Sequence, residues 1–96
     1  MKNPNSEKVI EKRLNDEVAK QGGWSIKLPA VYIAGLPDRM ILLPDGIIFF
    51  VEVKSTGRKP TKIQLHIHER IKRLGFEVYV VDKLDQVYEL LNRQLE

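Results

Sequence analysis

The stretch GLPDRMILLPDGIIFFVEVK, residues 35–54, decides the fold of this 96-residue chain. At its centre, Pro44-Asp45-Gly46 is a strong turn signal. Apolar runs at 40–43 and 47–53 flank the turn, as they do in two antiparallel strands joined by a hairpin. The second run is apolar on both faces, which favours a central, buried strand. The stretch therefore predicts a β-hairpin whose second strand lies inside a sheet.

The hairpin brings two acidic residues together. If the loop has three residues, Asp38 lies directly opposite Glu52, whereas a two-residue loop places Asp38 opposite Val53. Opposed side chains on such a ladder have Cβ atoms about 4.5–5.5 Å apart, and two like charges at that distance need compensation. Strand alternation adds Lys54 to the face of Glu52. A divalent cation would compensate the two acids, so a metal-dependent phosphodiesterase is the first hypothesis.

The composition is that of an ordinary soluble domain, with 43% hydrophobic and 30% charged residues. We expect residues 1–96 to form a single domain. The chain has no long apolar run and no signal-peptide pattern, so we expect no membrane partner and a cytoplasmic location, in the host cell if the protein is viral. A net charge of +3 is compatible with a polyanionic partner.

Cysteine is absent from the sequence. Its absence excludes disulfides, thiolate nucleophiles and sulfur-ligated zinc together. Oxygen ligands remain as the natural metal site, which favours Mg²⁺ or Mn²⁺ over zinc. No small-molecule cofactor is expected.

Hydrophobic periodicity and capping signals divide the rest of the chain into helices and strands. Besides the hairpin, the predicted elements are a helix over about 5–21, a strand over 24–28, a helix from Thr61 to Gly75, a strand over 77–81 and a helix over about 83–95. The step from the hairpin to the strand at 77–81 predicts a right-handed crossover between parallel strands. The expected class is α/β, with a mixed sheet flanked by helices.

These motifs resemble those of a known nuclease superfamily. Pro37-Asp38 and Glu52-x-Lys54, in an αβββαβ order, resemble the PD-(D/E)xK nucleases. The fuller pattern at 35–39 and 50–54, with Gln64 downstream, resembles the virus-type replication-repair nuclease (VRR-NUC) family of that superfamily over nearly the whole chain. The resemblance implies a restriction-endonuclease-like αβββαβ core, to which this chain adds a C-terminal helix.

The resemblance implies phosphodiester hydrolysis by metal-activated water. Asp38 and Glu52 would be metal ligands, with the carbonyl of Val53 as a third, as in related nucleases. Lys54 would orient the attacking water and stabilise developing negative charge as a compact cation. The ion implied by this set of oxygen ligands is Mg²⁺ or Mn²⁺.

Two further residues are assigned to the site from the resemblance, each with an alternative. Gln64 is a candidate catalytic residue, but a Thr61-x-x-Gln64 capping box would explain it without catalysis. The superfamily commonly directs a glutamate of the first helix toward the metal. Glu11 is the preferred candidate because it follows Ile10 on the expected buried edge, and Glu7, one turn earlier, is the competitor.

Five basic residues near the predicted site are candidates for contacts with DNA phosphates. They are Lys27, Arg39, Arg58, Lys59 and Lys62, and ordinary solubilising charge is the alternative for each. Of the remaining residues that could carry chemistry, His68 is expected to face solvent and Trp24 to belong to the core.

The residues and the resemblance together favour a Mg²⁺- or Mn²⁺-dependent DNA endonuclease. The resemblance implies that cleavage leaves 5′-phosphate ends. Small stand-alone members resemble Holliday-junction resolvases, so branched DNA in phage repair or recombination is the expected substrate. A chain with one site needs a homodimer to cut two strands. Two alternatives remain: a nuclease that acts on flapped or single-stranded ends, and an accessory domain that binds nucleic acid without turnover.

Overall fold

The computed structural model describes residues 3–95 and has the expected order of helix, three strands, helix, strand and helix. The elements are α1 (Glu7–Lys20), β1 (Trp24–Lys27), β2 (Arg39–Leu43), a single 3₁₀ turn (Pro44–Gly46), β3 (Ile47–Val53), α2 (Lys62–Arg73), β4 (Val78–Val81) and α3 (Leu84–Gln94). The predicted α/β class, with a mixed sheet, flanking helices and a C-terminal helix, is confirmed.

The sheet has the strand order β1-β2-β3-β4. β1, β2 and β3 pair in antiparallel fashion, and β4 pairs parallel to β3 after the α2 crossover. Leu43 pairs with Ile47 and Arg39 with Val51, so the hairpin has the three-residue loop. Asp45 in that loop has φ 69°, a left-handed conformation that aspartate tolerates. Counting on from Arg39, this register sets Asp38 opposite Glu52.

One face of the sheet is closed by α1 and α3. Strand alternation directs the odd-numbered residues of β2 and β3 to this face, where they meet the apolar stripes of the two helices. The buried residues of this core are Ile10, Leu14, Val18, Ile41, Leu43, Phe49, Val51, Val53, Val81, Val87, Leu90 and Leu91. The closed face therefore contains the main hydrophobic core.

The opposite face, called the open face below, is covered by α2 at one end only. Its strand residues are the even-numbered ones, among them Trp24, Ile26, Met40, Leu42, Ile48, Phe50 and Val80. Trp24 is 66% exposed, so the expectation that it belongs to the core is wrong. The cause is its position on the edge strand, at the end of the face that α2 does not reach.

The apolar stripe of α2 is incompletely covered as well. Ile63 is 53% exposed and Leu74 is 74% exposed, and the one buried residue of this helix is His68. Helix α2 therefore contacts the sheet through polar side chains, Gln64 and His68 against Glu52, as well as through apolar packing. Among the helices described in residues 3–95, none combines the length and the apolar character needed to cross a membrane.

Candidate active site

Asp38 is held at the start of β2 by both neighbouring strands. Its carboxylate Oδ2 accepts a hydrogen bond from the backbone N–H of Val53 at 2.6 Å, on β3. Its carbonyl accepts another from the N–H of Leu28 at 2.9 Å, just after β1. The preceding Pro37 is fully buried. These contacts fix the carboxylate beside the end of β3.

The carbonyl of Val53 lies where β2 offers no donor. The backbone amides of Phe50 and Lys54 donate to carbonyls on the β4 side. Backbone groups alternate in direction along a strand, so the odd-numbered residues of β3, including Val53, direct theirs toward β2. Continuing the register beyond Arg39 sets Pro37 opposite Val53. Proline has no N–H. Pro37 therefore has no N–H that could donate a hydrogen bond to the Val53 carbonyl. The Val53 N–H, in turn, donates to the Asp38 carboxylate instead of to a backbone carbonyl of β2.

Glu52 is a carboxylate with 1% exposure that is surrounded by donors. Oε2 accepts from Nε2 of Gln64 at 3.2 Å and lies 3.6 Å from Nζ of Lys54, while Oε1 lies 3.3 Å from Nε2 of His68. Burial raises the pKa of Glu52 to about 8, with the nearby negative charge of Asp38 as the next cause, and Lys54 opposes the shift. Burial and the neighbouring acid therefore favour the protonated form of Glu52.

Gln64 serves the helix and the site at once. Its backbone N–H donates to Thr61 Oγ1 at 3.3 Å and its Oε1 accepts from the N–H of Thr61 at 2.9 Å, which is the capping box expected from the sequence. Its Nε2 remains free to donate to Glu52. The two interpretations of Gln64 are therefore compatible, because the capping box uses the amide oxygen and the site uses the amide nitrogen.

His68 does not face solvent, so that expectation is wrong. It is 2% exposed and contacts Glu52 from one turn beyond Gln64. Burial lowers the pKa of His68, with the positive charges of Lys72 and Lys54 as smaller causes, which favours the neutral ring. According to its tautomer, a neutral ring can donate Nε2–H to the Glu52 carboxylate or accept a hydrogen bond from protonated Glu52. The spacing i, i+4 from Gln64 was the signal that could have predicted this contact.

Glu11 contacts Arg39 on the closed face. Its Oε2 accepts a hydrogen bond from Nε of Arg39 at 2.8 Å, and Nη1 of Arg39 also reaches the carbonyl of Ser25 at 3.5 Å. In the described part of the chain, no hydrogen bond or ion pair joins Glu11 to Asp38, Glu52 or Lys54. Arg39 is thus a half-buried cation that forms a salt bridge with Glu11.

The comparisons with known proteins agree with this geometry. A solved structure described as "VRR_NUC domain" superimposes with a TM-score of 0.84 and 37% sequence identity, covering 90% of this chain and 94% of that chain. The protein "Putative nuclease p44" of Acyrthosiphon pisum secondary endosymbiont phage 1 is 47% identical over 79 residues, which are 82% of this chain and 85% of that protein. This chain belongs to the VRR-NUC family. No family model matches it.

The remaining candidate cations of this VRR-NUC chain are exposed. Lys27 lies at the end of β1, opposite Arg39 in the strand register. The other three cations lie in the loop after β3 or at the start of α2. These are Arg58, Lys59 and Lys62. None of the four forms a salt bridge within residues 3–95. Three of the four therefore border the end of β3 with their charges unpaired by protein carboxylates.

The ligand atoms of the VRR-NUC site fit a hard divalent cation. Over residues 3–95 there is no group of three or more histidine, cysteine, aspartate or glutamate side chains that could enclose a metal. The site instead offers the carboxylates of Asp38 and Glu52 and the carbonyl of Val53. Mg²⁺ is usually bound in this way, through one or two carboxylates, and keeps several of its waters. A cation beside Glu52 would favour its ionised form and so oppose the rise in pKa that burial and the charge of Asp38 cause.

Proposed function

We propose that this VRR-NUC nuclease is a divalent-metal-dependent DNA endonuclease, with residues 1–96 acting as one catalytic domain. The observation that carries the proposal is Glu52, a buried carboxylate beside a second carboxylate with one lysine 3.6 Å away. With both acids ionised, such an arrangement is costly unless a cation occupies it. It also supplies the donor types that Mg²⁺ and Mn²⁺ prefer.

Asp38, Glu52 and the Val53 carbonyl would hold the ion. When bound, a divalent cation supplies charge neutralisation at the phosphate and a water of lowered pKa. Lys54 is the cation that orients the attacking water and stabilises the charge developing on the phosphate. Gln64 and His68 act on Glu52 and not on the phosphate, because Nε2 of Gln64 donates to its carboxylate and Nε2 of His68 lies 3.3 Å from its other oxygen.

Glu11 is the proposed acid of the first helix. It is half-buried against Arg39, the residue that follows Asp38, whereas Glu7 lies exposed in the first turn of α1. A carboxylate that reaches β2 beside Asp38 is better placed to act on the waters of a bound ion. The separate substitutions Glu7→Gln and Glu11→Gln test this choice, since only the second is expected to slow cleavage.

The proposed substrate is branched DNA, cut by a homodimer. The 47%-identical phage protein is named as a putative nuclease, which supports nuclease activity. A role in phage DNA repair or recombination, in the cytoplasm of the host cell, is part of the proposal. Each chain carries one pair of site carboxylates, so two paired cuts need two copies related by symmetry. Exposed Lys27, Arg58, Lys59 and Lys62 are the proposed phosphate contacts.

The decisive experiment is cleavage of an end-labelled four-way DNA junction, a linear duplex and a single strand, with Mn²⁺ or with chelator. Asp38→Asn and Lys54→Ala should each lower the rate about a hundredfold or more, the scale of losing one group that acts on transition-state charge. Asp45→Asn, at an exposed left-handed position that asparagine accepts, is the matched control and should cut normally.

Each outcome assigns a function. Paired cuts confined to the junction identify a resolvase, while cuts on flaps or single strands identify an end-processing nuclease. Cutting that persists in chelator, or in Asp38→Asn at the wild-type rate, refutes the metal site proposed here. Binding of all three DNA molecules without any cutting makes the chain an accessory domain.

A further inference from the structure

The loop after β3 carries two of the proposed phosphate contacts, Arg58 and Lys59. It is called the basic loop below and comprises residues 55–60. The basic loop begins at the site end of the open face, one residue after Lys54. Polar surface loops are usually among the more mobile parts of a protein. This one is instead joined by hydrogen bonds to two distant parts of the chain.

The first half of the basic loop is a β-turn over residues 55–58. The N–H of Arg58 donates to the carbonyl of Ser55 at 2.9 Å. Gly57, in the third position of the turn, has φ +88°, which is the conformation that a type II turn requires there. The ends of such a turn lie within about 7 Å of each other. The turn therefore brings Arg58 back beside Ser55, the residue that follows Lys54.

Asp82, one residue after β4, holds this turn at two points. Its carboxylate Oδ2 accepts a hydrogen bond from the N–H of Gly57 at 3.0 Å. Its carbonyl accepts another from Oγ1 of Thr56 at 2.5 Å. The N–H of Thr56 donates to the carbonyl of Asn5, just before α1, at 2.9 Å. Both central residues of the turn are thus fixed to residues that are distant in the sequence.

The Asp82 carboxylate serves the basic loop and not the helix that follows it. Near the start of a helix, aspartate side chains commonly accept from backbone amides of that helix. Here Oε1 of Gln86 accepts from the N–H groups of Asp82 at 2.7 Å and Lys83 at 3.2 Å. Within residues 3–95 Asp82 forms no salt bridge, although Arg58 directly follows its partner Gly57. Asp82 therefore fixes the loop backbone without pairing with the Arg58 charge.

We propose that Asp82 is a positioning residue, which holds the basic loop so that Arg58 and Lys59 meet DNA phosphates near Lys54 without first being ordered. A loop that is already ordered loses less conformational entropy when its ligand binds. The effect belongs to binding, because Lys54 is held separately by its own N–H, which donates to the Val81 carbonyl at 2.8 Å. The role toward DNA rests on the proposed function, whereas the anchoring of the loop does not.

Trypsin cleavage in chelator, without DNA, tests the anchor independently of nuclease activity. Trypsin cuts after Arg58 but not after Lys59, because proline follows Lys59. Proteolysis of a native protein tracks how often the cleaved segment opens. Asp82→Ala removes a charge-assisted hydrogen bond and should raise the rate of the cut after Arg58 about tenfold or more. Mass spectrometry of the fragment of residues 1–58 identifies the cut.

Asp82→Asn separates the position of this side chain from its charge. Asparagine keeps an oxygen that can accept from the N–H of Gly57, so it should restore most of the protection against trypsin. Thr56→Val removes the donor to the Asp82 carbonyl and is the second variant if Asp82→Ala folds poorly, which a thermal melt reveals. Asp85→Ala, at an exposed acid in the first turn of α3, is the matched control and should be cut like the wild type.

The readout with DNA is a split between binding and turnover. Asp82→Ala should raise KM with Mn²⁺, and Kd in chelator, about fivefold, the scale of ordering one or two side chains on binding. The turnover number kcat should stay within about twofold of the wild type, as it does when an interaction common to ground state and transition state is lost. Asp82→Asn should keep the wild-type KM or lower it slightly, because it removes a negative charge near the phosphates.

Three results would overturn the inference. If Asp82→Ala is cut by trypsin no faster than Asp85→Ala, Asp82 does not anchor the loop. If Asp82→Ala and Asp82→Asn both tighten DNA binding, Asp82 acts through its charge alone. If trypsin sensitivity rises while KM and Kd do not change, the anchor serves stability only. A wild type that neither binds nor cuts DNA refutes the proposed function and the phosphate role together, and the trypsin comparison still decides whether the anchor exists.

Discussion

At the scale of single residues, Glu52 is held in an environment that disfavours its charge. It is buried, and its pKa is raised to about 8 from an ordinary value of 4.5. In metal-free protein the folded state therefore binds a proton more tightly than the unfolded state does. The associated stability is fully present below pH 4.5 and is lost as the pH rises through 8.

This linkage predicts how the free energy of unfolding varies with pH in chelator. Between about pH 4.5 and 8 the wild type should lose stability with a slope of at most about 1.4 kcal/mol per pH unit from this group. Glu52→Gln should remove that part of the slope, because glutamine does not titrate. Urea unfolding across the pH range measures it. Glu69→Gln, at an exposed glutamate, is the control and should keep the wild-type slope.

A second prediction concerns His68, which positions the Glu52 carboxylate. His68→Ala removes a buried donor and should weaken Mn²⁺ binding by about 10–100-fold, the usual effect of losing a group that orients a metal ligand. His68→Gln keeps a donor and should restore part of the affinity. Isothermal titration calorimetry gives the affinity, and a thermal melt reports folding.

His66 provides the comparison for this experiment. It lies exposed on the same helix two residues earlier, so His66→Ala should bind Mn²⁺ like the wild type. A purely structural role for His68 would lower the melting temperature in Ala and Gln variants alike and leave the metal affinity of the folded protein unchanged.

At the scale of elements, the contact between the loop before β2 and helix α2 depends on Gly35. Its φ is +91°, and a Cβ there would lie 2.7 Å from the carbonyl oxygen of Ile63 and 2.9 Å from Cγ1 of Ile67. A side chain at this position is therefore excluded twice, by the backbone conformation and by α2. Because α2 also carries the donors to Glu52, this glycine links the Asp38 segment to the far side of the site.

Gly57 allows the two effects to be separated. It has φ +88° and nothing within 4 Å of a Cβ, so Gly57→Ala should cost only the left-handed conformation, about 1–2 kcal/mol. Gly35→Ala should cost more, because α2 must move, and it alone should also weaken Mn²⁺ binding. Chemical denaturation and calorimetry measure both. Equal losses of stability in the two variants would show that the approach of α2 does not matter.

The elements that sequence patterns predicted well are those set by local signals. The three-residue loop at Pro44–Gly46 fixed the register that sets Asp38 opposite Glu52, and the helix expected over 5–21 was found at Glu7–Lys20. His68 and Trp24 were misjudged because each depends on tertiary packing. Periodicity shows which residues share a helix face or a strand face, but not whether another element covers that face.

At the scale of the whole molecule, a net charge of +3 is less informative than where the charges lie. Three exposed cations that form no salt bridge within residues 3–95 lie at the end of the sheet that carries Asp38 and Glu52. They are Arg58, Lys59 and Lys62. Converting all three to glutamine should lower the slope of log Kd for DNA against log salt concentration by about 2–3. Each phosphate that the protein no longer neutralises should reduce this slope by about 0.9. Fluorescence anisotropy in chelator, over a salt series, measures the slope.

An equal loss of charge elsewhere provides the control. The control cations are exposed and lie in the last turns of the three helices, away from Asp38 and Glu52. They are Lys20, Arg73 and Arg93. Their conversion to glutamine should reduce DNA affinity slightly at low salt and leave the slope nearly unchanged. If both triple variants lose the same slope, attraction depends on net charge and the loop cations have no specific place in binding.

The double use of Gln64 has a consequence for how the protein opens and closes. Its side chain completes the first turn of α2 with one atom and supports Glu52 with another. Fraying of that helix end would therefore release the Glu52 carboxylate, and an ion bound to Glu52 would in turn resist the fraying. If the site binds an ion as proposed, metal occupancy and the local order of α2 would form one cooperative unit, in which filling the site is also the last step of folding around it.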